Sequence, residues 1–112
     1  MGEILVGTCS WTDPTLIRSG RFYPAEAKSA EDRLRFYASQ FRLVEVDSTY
    51  YSMPSEDTAR LWAERTGPDF LFDVKAFRLF TMHPTPPSVL PKDIRAYLPS
   101  ELQHKANIYQ RD

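Results

Sequence analysis

Four ionisable residues lie at or just beyond the ends of apolar segments, where side chains can take part in proton transfer. Glu45 and Asp47 belong to "LVEVDST", Lys75 lies in "FLFDVKA", and His83 follows in "FTMHPTP". Carboxylates and histidine act as general bases and acids, and a lysine within a strand requires a neighbouring anion. The residue types therefore suit a small polar or anionic substrate. Asp47 or Glu45 would be the base, and His83 an acid or base. Lys75 would bind charge.

Aromatic and guanidinium side chains near these residues are candidate substrate-binding walls. Trp11 ends the first apolar segment, and Tyr50 and Tyr51 directly follow the second. Adjacent residues of an extended chain point in opposite directions, so one tyrosine, for which we favour Tyr50, should face the site. The other should pack beneath the next helix. Trp11 either stacks on a ligand or packs under the loop that follows, and Arg78 either reaches an anion or has a structural role.

The same charged residues also have a structural interpretation. Neighbouring strands would set Asp47 beside Lys75, and we predict an ion pair between them. Such charges either fix the strand register or form the floor of a site. Glu45, Asp47 and His83 are possible ligand types for a metal, but no diagnostic spacing links them, and Lys75 disfavours a dication. No metal site is predicted, and the sequence identifies no cofactor.

The elements that would position these residues follow the order β-α-β-α-β. Strands are predicted over 3–11, 43–49 and 70–76, with helices capped by Ser29 and Ser55 between them. This order favours a parallel sheet. We predict one partial domain over 1–112, with the β-α-β-α-β core at 1–76. A Pro-rich loop and irregular tail, containing at most short helical turns, would follow at 77–112.

The alternation of apolar and charged residues indicates which kind of parallel sheet this is. Val44 and Val46 should face one way, and Glu45 and Asp47 the other. An open doubly wound sheet would bury such charges at a cost of several kcal/mol each. A barrel places them near its open carboxyl-terminal mouth. The predicted fold is α/β, with three parallel strands and intervening helices that form part of a barrel.

Composition excludes several functional classes. The 112 residues carry a net charge of -1, from 14 basic and 15 acidic side chains, which argues against strong nucleic-acid binding. No apolar run approaches the roughly 20 residues of a membrane span. The single cysteine excludes an internal disulfide, and a reducing, cytoplasmic setting is the default expectation.

Several motifs resemble one family. "VGTCSWTD", "RFYP", "YASQFRLVEVDSTYY" and "WAERTGPDFLFDVKAFRLFTMH" occur in an order and spacing similar to the YecE-like family, domain of unknown function number 72. The resemblance implies a TIM-type barrel, and it places His83 in the family's Thr-His element. Asp47 stands where the family commonly has Asn, and Cys9-Ser10 where it often has Ser-Gly. The family's activity is not established.

The length of the chain and its charges leave more than one function open. A TIM barrel takes about 250 residues, so the chain resembles the amino-terminal portion of one. The remainder of the barrel or a partner chain would be needed to cover the sheet edges. The first hypothesis is a barrel enzyme that binds a small-molecule ligand at the carboxyl ends of the strands. The second is a non-catalytic interaction module, including one that recognises nucleic acid by stacking, and the third is an inactive fragment.

Overall fold

The structure is a computed structural model that describes residues 2–112. Contacts divide the chain into two units. The first contains the residues up to Val46 together with Ser55–Val74, and the second contains Asp47–Pro54 and Lys75–Asp112. Each unit has a hydrophobic core of its own. No helix in the described part of the chain is both long and apolar enough to cross a membrane.

Residues 2–112 form three strands, six α-helices and one 3₁₀ turn. The first unit contains β1 (Gly7–Cys9), α1 (Pro14–Arg18), α2 (Ala30–Gln40), β2 (Leu43–Val46), α4 (Glu56–Glu64) and β3 (Leu71–Val74). The second contains α3 (Ser48–Tyr51), a 3₁₀ turn (Pro87–Val89), α5 (Lys92–Ala96) and α6 (Ser100–Gln103).

The three strands form an open parallel sheet in the order β1-β2-β3, which confirms the predicted α/β class and strand direction. The predicted alternation in β2 is also confirmed, because Val44 and Val46 are buried and Glu45 is exposed. The strands are shorter than predicted. β1 ends at Cys9 because Ser10 takes a left-handed conformation, with φ 69°. β2 ends at Val46 because Asp47 already has helical backbone angles.

Helix α2 begins at the predicted cap. The Ser29 hydroxyl accepts a hydrogen bond from the Asp32 amide at 3.0 Å, and the Asp32 carboxylate accepts one from the Ser29 amide at 3.2 Å. This reciprocal capping box occupies two amides that a helix start would otherwise leave without a partner. Leu34 and Tyr37 are three residues apart, which places them on one face of the helix, and both are fully buried. The sequence therefore predicts the start of α2, and this face packs in the core of the first unit.

The capping box should make the stability of α2 depend on pH in the acidic range. The hydrogen bond from the Ser29 side chain, followed by that from its main chain, holds the pKa of Asp32 below its usual value. A lowered folded-state pKa contributes stability that is present above the unfolded-state pKa and is lost as pH falls through the folded-state pKa. We expect Ser29→Ala to raise the pKa of Asp32, measured by NMR titration of its carboxyl carbon.

The matched control for this prediction is Ser55→Ala. Ser55 caps α4 through the amide of Thr58 at 3.1 Å and lies away from Asp32 in the sequence. The control should leave the Asp32 titration unchanged. An unchanged Asp32 pKa in Ser29→Ala would contradict the assignment of the shift to the capping box.

One buried hydroxyl joins the first two strands. The Tyr37 hydroxyl accepts a hydrogen bond from the amide of Thr8 at 2.7 Å and donates one to the carbonyl of Leu43 at 3.1 Å. The Thr8 hydroxyl lies 2.9 Å from the hydroxyl oxygen of Tyr37. Gly7 pairs with Leu43 so closely that a Cβ on Gly7 would lie 2.0 Å from the Leu43 carbonyl oxygen. Helix α2 therefore fixes the spacing of β1 and β2 through a polar contact as well as through apolar packing.

The segment predicted as a loop between β1 and α2 contains α1. Asp13 caps this short helix, because its carboxylate accepts hydrogen bonds from the amides of Thr15 and Leu16 at 2.8 and 3.1 Å. Farther along, the buried Tyr23 hydroxyl donates a hydrogen bond to the carbonyl of Trp11. Burial, with a smaller contribution from Tyr37, raises the pKa of Tyr23 to about 12. The loop is therefore tied to the core of the first unit.

The second unit has a small core formed by Phe77, Leu90 and Ile108. Thr85 and Ile108 pair as an isolated antiparallel bridge, with amide-to-carbonyl distances of 3.0 and 2.8 Å. Its helices are short, and the caps of α5 and α6 are Pro91 and Pro99, which make no side-chain capping bond. Proline favours turns and helix starts, which is why the sequence predicted only short helical turns here.

Candidate functional site

Four predicted site residues of the second unit surround the aromatic ring of a fifth, Tyr50. The Lys75 ammonium lies 5.1 Å from the centroid of the Tyr50 ring, and the Arg78 guanidinium carbon lies 5.7 Å from it. The His83 ring packs edge-on at 5.6 Å, and the Tyr51 ring at 5.0 Å. We call these five residues the Tyr50 cluster. A tyrosine face attracts cations through its quadrupole, so the ring of Tyr50 stabilises both positive charges.

Main-chain hydrogen bonds hold the segments of the cluster together. The Arg78 amide donates to the carbonyl of Tyr50 at 3.0 Å, and the His83 amide donates to the carbonyl of Arg78 at the same distance. The hydroxyl of Thr49, a buried residue, donates to the carbonyl of Lys75 at 2.6 Å. The cluster therefore stands on a fixed backbone even though several of its side chains reach solvent.

Two side chains of the cluster are oriented by neighbouring groups. Arg78 Nε donates a hydrogen bond to the carbonyl of Pro84 at 2.8 Å. His83 Nδ1 lies 2.8 Å from the hydroxyl of Thr81. Because Nδ1 is engaged, Nε2 is the ring nitrogen of His83 that can exchange a proton with a ligand. The cluster thus combines two cations with one group suited to acid–base chemistry.

The predicted ion pair between Asp47 and Lys75 is wrong. Among the described residues no carboxylate lies within ion-pairing distance of Lys75, and its ammonium lies over Tyr50 instead. The prediction assumed that Asp47 continued β2 and faced the neighbouring strand. Asp47 instead precedes α3, and its side chain makes no capping bond.

The two tyrosines differ in their surroundings, and the role of Tyr50 in a substrate site stays a prediction. Tyr50 is partly buried and contacts Lys75, Arg78 and His83. Tyr51 is 59% exposed, so the expectation that it packs beneath the next helix is wrong. The residues form a helical turn, in which neighbouring side chains diverge by about 100° rather than alternating.

Glu45 and Trp11 belong to the first unit. Glu45 is exposed on β2, between Cys9 of β1 and Asp73 of β3 in the sheet register. Trp11 is only 8% exposed and packs edge-on against Trp62 and Phe72, with ring centroids 5.3 and 6.3 Å away. This environment favours the packing interpretation of Trp11. The proposed roles of Glu45 and Trp11 in a substrate site stay predictions.

Two cavities involve residues that the sequence did not single out as a site. One, of about 360 Å³, lies at the carboxyl end of β1 and is lined by Thr8, Cys9, Ser10, Asp13, Thr15, Leu16 and Ser19. The other, of about 500 Å³, is lined by Met82, Tyr109, Gln110 and Arg111. The only sequence signal for the second is "YQR", an aromatic residue close to a cation, which is too common to be diagnostic. Residues 2–112 hold no group of three or more potential metal ligands.

Comparison with known proteins identifies the family. The profile of the family described as "Protein of unknown function DUF72" matches residues 5–107. The chain belongs to the DUF72 family. The resemblance drawn from the sequence motifs is thereby confirmed, and with it the description of the chain as a member of a family whose activity is not established. The DUF72 match includes the whole Tyr50 cluster, whereas Tyr109, Gln110 and Arg111 lie beyond it.

One curated relative supports the same assignment. The UPF0759 protein YunF of Bacillus subtilis (strain 168) is 31% identical over 80 residues. The aligned part is 71% of this DUF72 chain and 26% of the relative. The chain therefore spans about a quarter of the length of that protein. No solved structure matches the chain.

Proposed function

We propose that this chain supplies part of the substrate site of a TIM-type barrel enzyme that acts on a small anionic substrate. The observation that carries the proposal is the pair of cations, Lys75 and Arg78, on the ring of Tyr50. Neither cation forms an ion pair within the described residues. Each cation can donate charge-assisted hydrogen bonds, so a bound carboxylate or phosphate would supply the counter-charge that both side chains lack.

The strand order supports a barrel. In a TIM barrel each strand pairs in parallel with the next strand along the chain, and β1-β2-β3 follow that rule. A doubly wound sheet instead contains a point where the strand order reverses. The Tyr50 cluster comes from the segments that directly follow β2 and β3, and barrel enzymes build their sites from such segments. The remaining strands would come from the rest of a longer polypeptide or from a partner chain.

The proposed roles follow from the contacts. Lys75 and Arg78 would bind the anionic group, and Tyr50 would form an apolar wall beside it. His83, with Nδ1 held by Thr81, would exchange a proton through Nε2. Asp47, whose carbonyl accepts a hydrogen bond from the Tyr50 amide at 3.1 Å, keeps the predicted role of base, and its carboxylate is not used to cap α3.

A titration with inorganic phosphate, followed by two-dimensional amide NMR, tests the anion site. We expect Lys75→Gln to weaken binding about tenfold, because a charge-assisted hydrogen bond contributes about 1.5–3 kcal/mol and 1.4 kcal/mol corresponds to tenfold. Lys92→Gln is the matched control, since Lys92 is an exposed cation at the start of α5 in the same unit. The control should bind phosphate like the parent chain.

Equal weakening by Lys75→Gln and Lys92→Gln would mean that phosphate responds only to net charge, and it would overturn the site. The same titration with a single-stranded oligonucleotide discriminates the nucleic-acid alternative. A steep loss of oligonucleotide affinity with salt, centred on the Tyr50 cluster, would favour that alternative. Binding of phosphate that changes little with moderate salt, together with weak oligonucleotide binding, would favour the small-anion site.

A further inference from the structure

We propose that the cavity lined by Met82, Tyr109, Gln110 and Arg111, here called the tail cavity, binds a planar aromatic anion. Its volume is about 500 Å³. That volume falls in the range of about 300–1,000 Å³ typical of small-molecule sites. The proposal is independent of the Tyr50 cluster, and it concerns residues of which three lie beyond the family match.

The polar side chains of the tail cavity have unused hydrogen-bonding capacity. Within residues 2–112, the guanidinium of Arg111 forms no ion pair, and neither Arg111 nor Gln110 makes a side-chain hydrogen bond. The nearby carboxylate of Asp112 is already engaged, because it accepts from the Tyr109 amide at 2.9 Å and lies 3.8 Å from the Lys105 ammonium. Arg111 is therefore a donor fork that can receive a carboxylate or phosphate.

The other groups favour a flat ring. The Arg111 guanidinium lies 5.2 Å from the centroid of the Tyr109 ring. The outer face of a guanidinium that lies over a phenol ring can stack on an aromatic ligand, and its N–H edge can receive the ligand's negative group. Met82 offers a thioether, which makes favourable contacts with aromatic rings. The Gln110 amide can both donate to and accept from polar atoms at the edge of such a ring.

The backbone holds two of these residues in place. Tyr109 belongs to a turn in which the Asp112 amide donates to its carbonyl at 3.0 Å, and the preceding Ile108 pairs with Thr85. Met82 is 76% exposed and has a left-handed backbone, with φ 64°. Its conformation is stabilised by the turn in which the His83 amide donates to the carbonyl of Arg78. The exposed thioether is thus presented by a constrained segment rather than by a free loop.

The chemical class is a planar aromatic ring that carries a phosphate or a carboxylate. The test is calorimetric titration with adenosine monophosphate, which carries a phosphate, and with naphthoate, which carries a carboxylate. The controls are adenosine, which lacks the anionic group, and inorganic phosphate, which lacks the ring. The ligands are compared in the Lys75→Gln chain, in which the Tyr50 cluster should bind phosphate weakly. There we expect at least one aromatic anion to bind about tenfold more tightly than adenosine or phosphate, since both the ring and the charge contribute.

Variants locate the binding. Arg111→Gln should weaken binding of the aromatic anion about tenfold. Lys92→Gln, which changes the net charge by the same amount, should leave this binding unchanged. Lys75→Gln should also leave this affinity unchanged, which separates the tail cavity from the Tyr50 cluster. Arg111 and Lys92 are exposed, so neither replacement should affect folding. Parent-like affinity in Arg111→Gln, equal binding of phosphate and the aromatic anions, or no binding at millimolar ligand would each overturn the proposal.

Discussion

Replacing Gly7 with alanine should destabilise the first unit by about 3 kcal/mol or more, because the added methyl group meets main chain that cannot move away. A Cβ at this position would lie 2.0 Å from the carbonyl oxygen of Leu43 and 2.8 Å from its carbonyl carbon. Leu43 pairs with Gly7 on one side and with Leu71 on the other. Any shift of Leu43 that admits the methyl group therefore disturbs the sheet on both sides.

The measurement is the free energy of unfolding in urea, followed by circular dichroism. Gly67→Ala is the matched control, because a Cβ on Gly67 would meet nothing within 4 Å. That replacement should change the free energy of unfolding by no more than about 0.5 kcal/mol, or stabilise the chain slightly. Similar unfolding curves for the two variants would show that β1 does not approach β2 as closely as described.

The second large effect should follow from Tyr37→Phe, with a loss of about 2 kcal/mol. The Tyr37 hydroxyl is fully buried, and its removal would leave the Thr8 amide and the Leu43 carbonyl without this partner. An unsatisfied buried polar group costs about 1–3 kcal/mol. The ring itself, which packs against Phe41 and Phe70, would be retained. The loss would therefore report on the polar link between β1 and β2.

Urea unfolding gives the magnitude, and amide hydrogen exchange at Thr8 gives the location. Exchange of the Thr8 amide should accelerate in Tyr37→Phe, because that amide loses its acceptor. The control is Tyr97→Phe, since Tyr97 is 88% exposed and should contribute little. A destabilised variant with unchanged Thr8 exchange would contradict the link and point to packing instead.

The features that the sequence predicts well are those set by residues close together in the chain. Ser29 and Ser55 are recognisable as caps because the acidic residues that follow them stabilise a helix start, and both helices begin there. The alternation in β2 is equally local, because its two valines must face the same side of a strand. Parallel pairing then follows from the intervening helices.

The features that the sequence predicts poorly depend on contacts between segments that are distant in the chain. The sequence predicts that Asp47 faces Lys75. In the structure the chain turns into α3 after Asp47, and the Lys75 ammonium lies over the ring of Tyr50 instead of beside a carboxylate. Nothing local distinguishes that turn from a continued strand. The sequence likewise selects Arg78 and His83 one at a time, and only the folded chain brings both to the ring of Tyr50.

The two tryptophans of this chain lie together in the first unit. Trp11 and Trp62 pack edge-on with ring centroids 5.3 Å apart, whereas the second unit holds four of the six tyrosines and no tryptophan. Selectively excited tryptophan emission will therefore report unfolding of the first unit and will not report unfolding of the second. Tyrosine emission adds a signal from the second unit, which holds Tyr50, Tyr51, Tyr97 and Tyr109. The native chain thus carries optical probes that can show whether its two halves lose their structure in one step or in two.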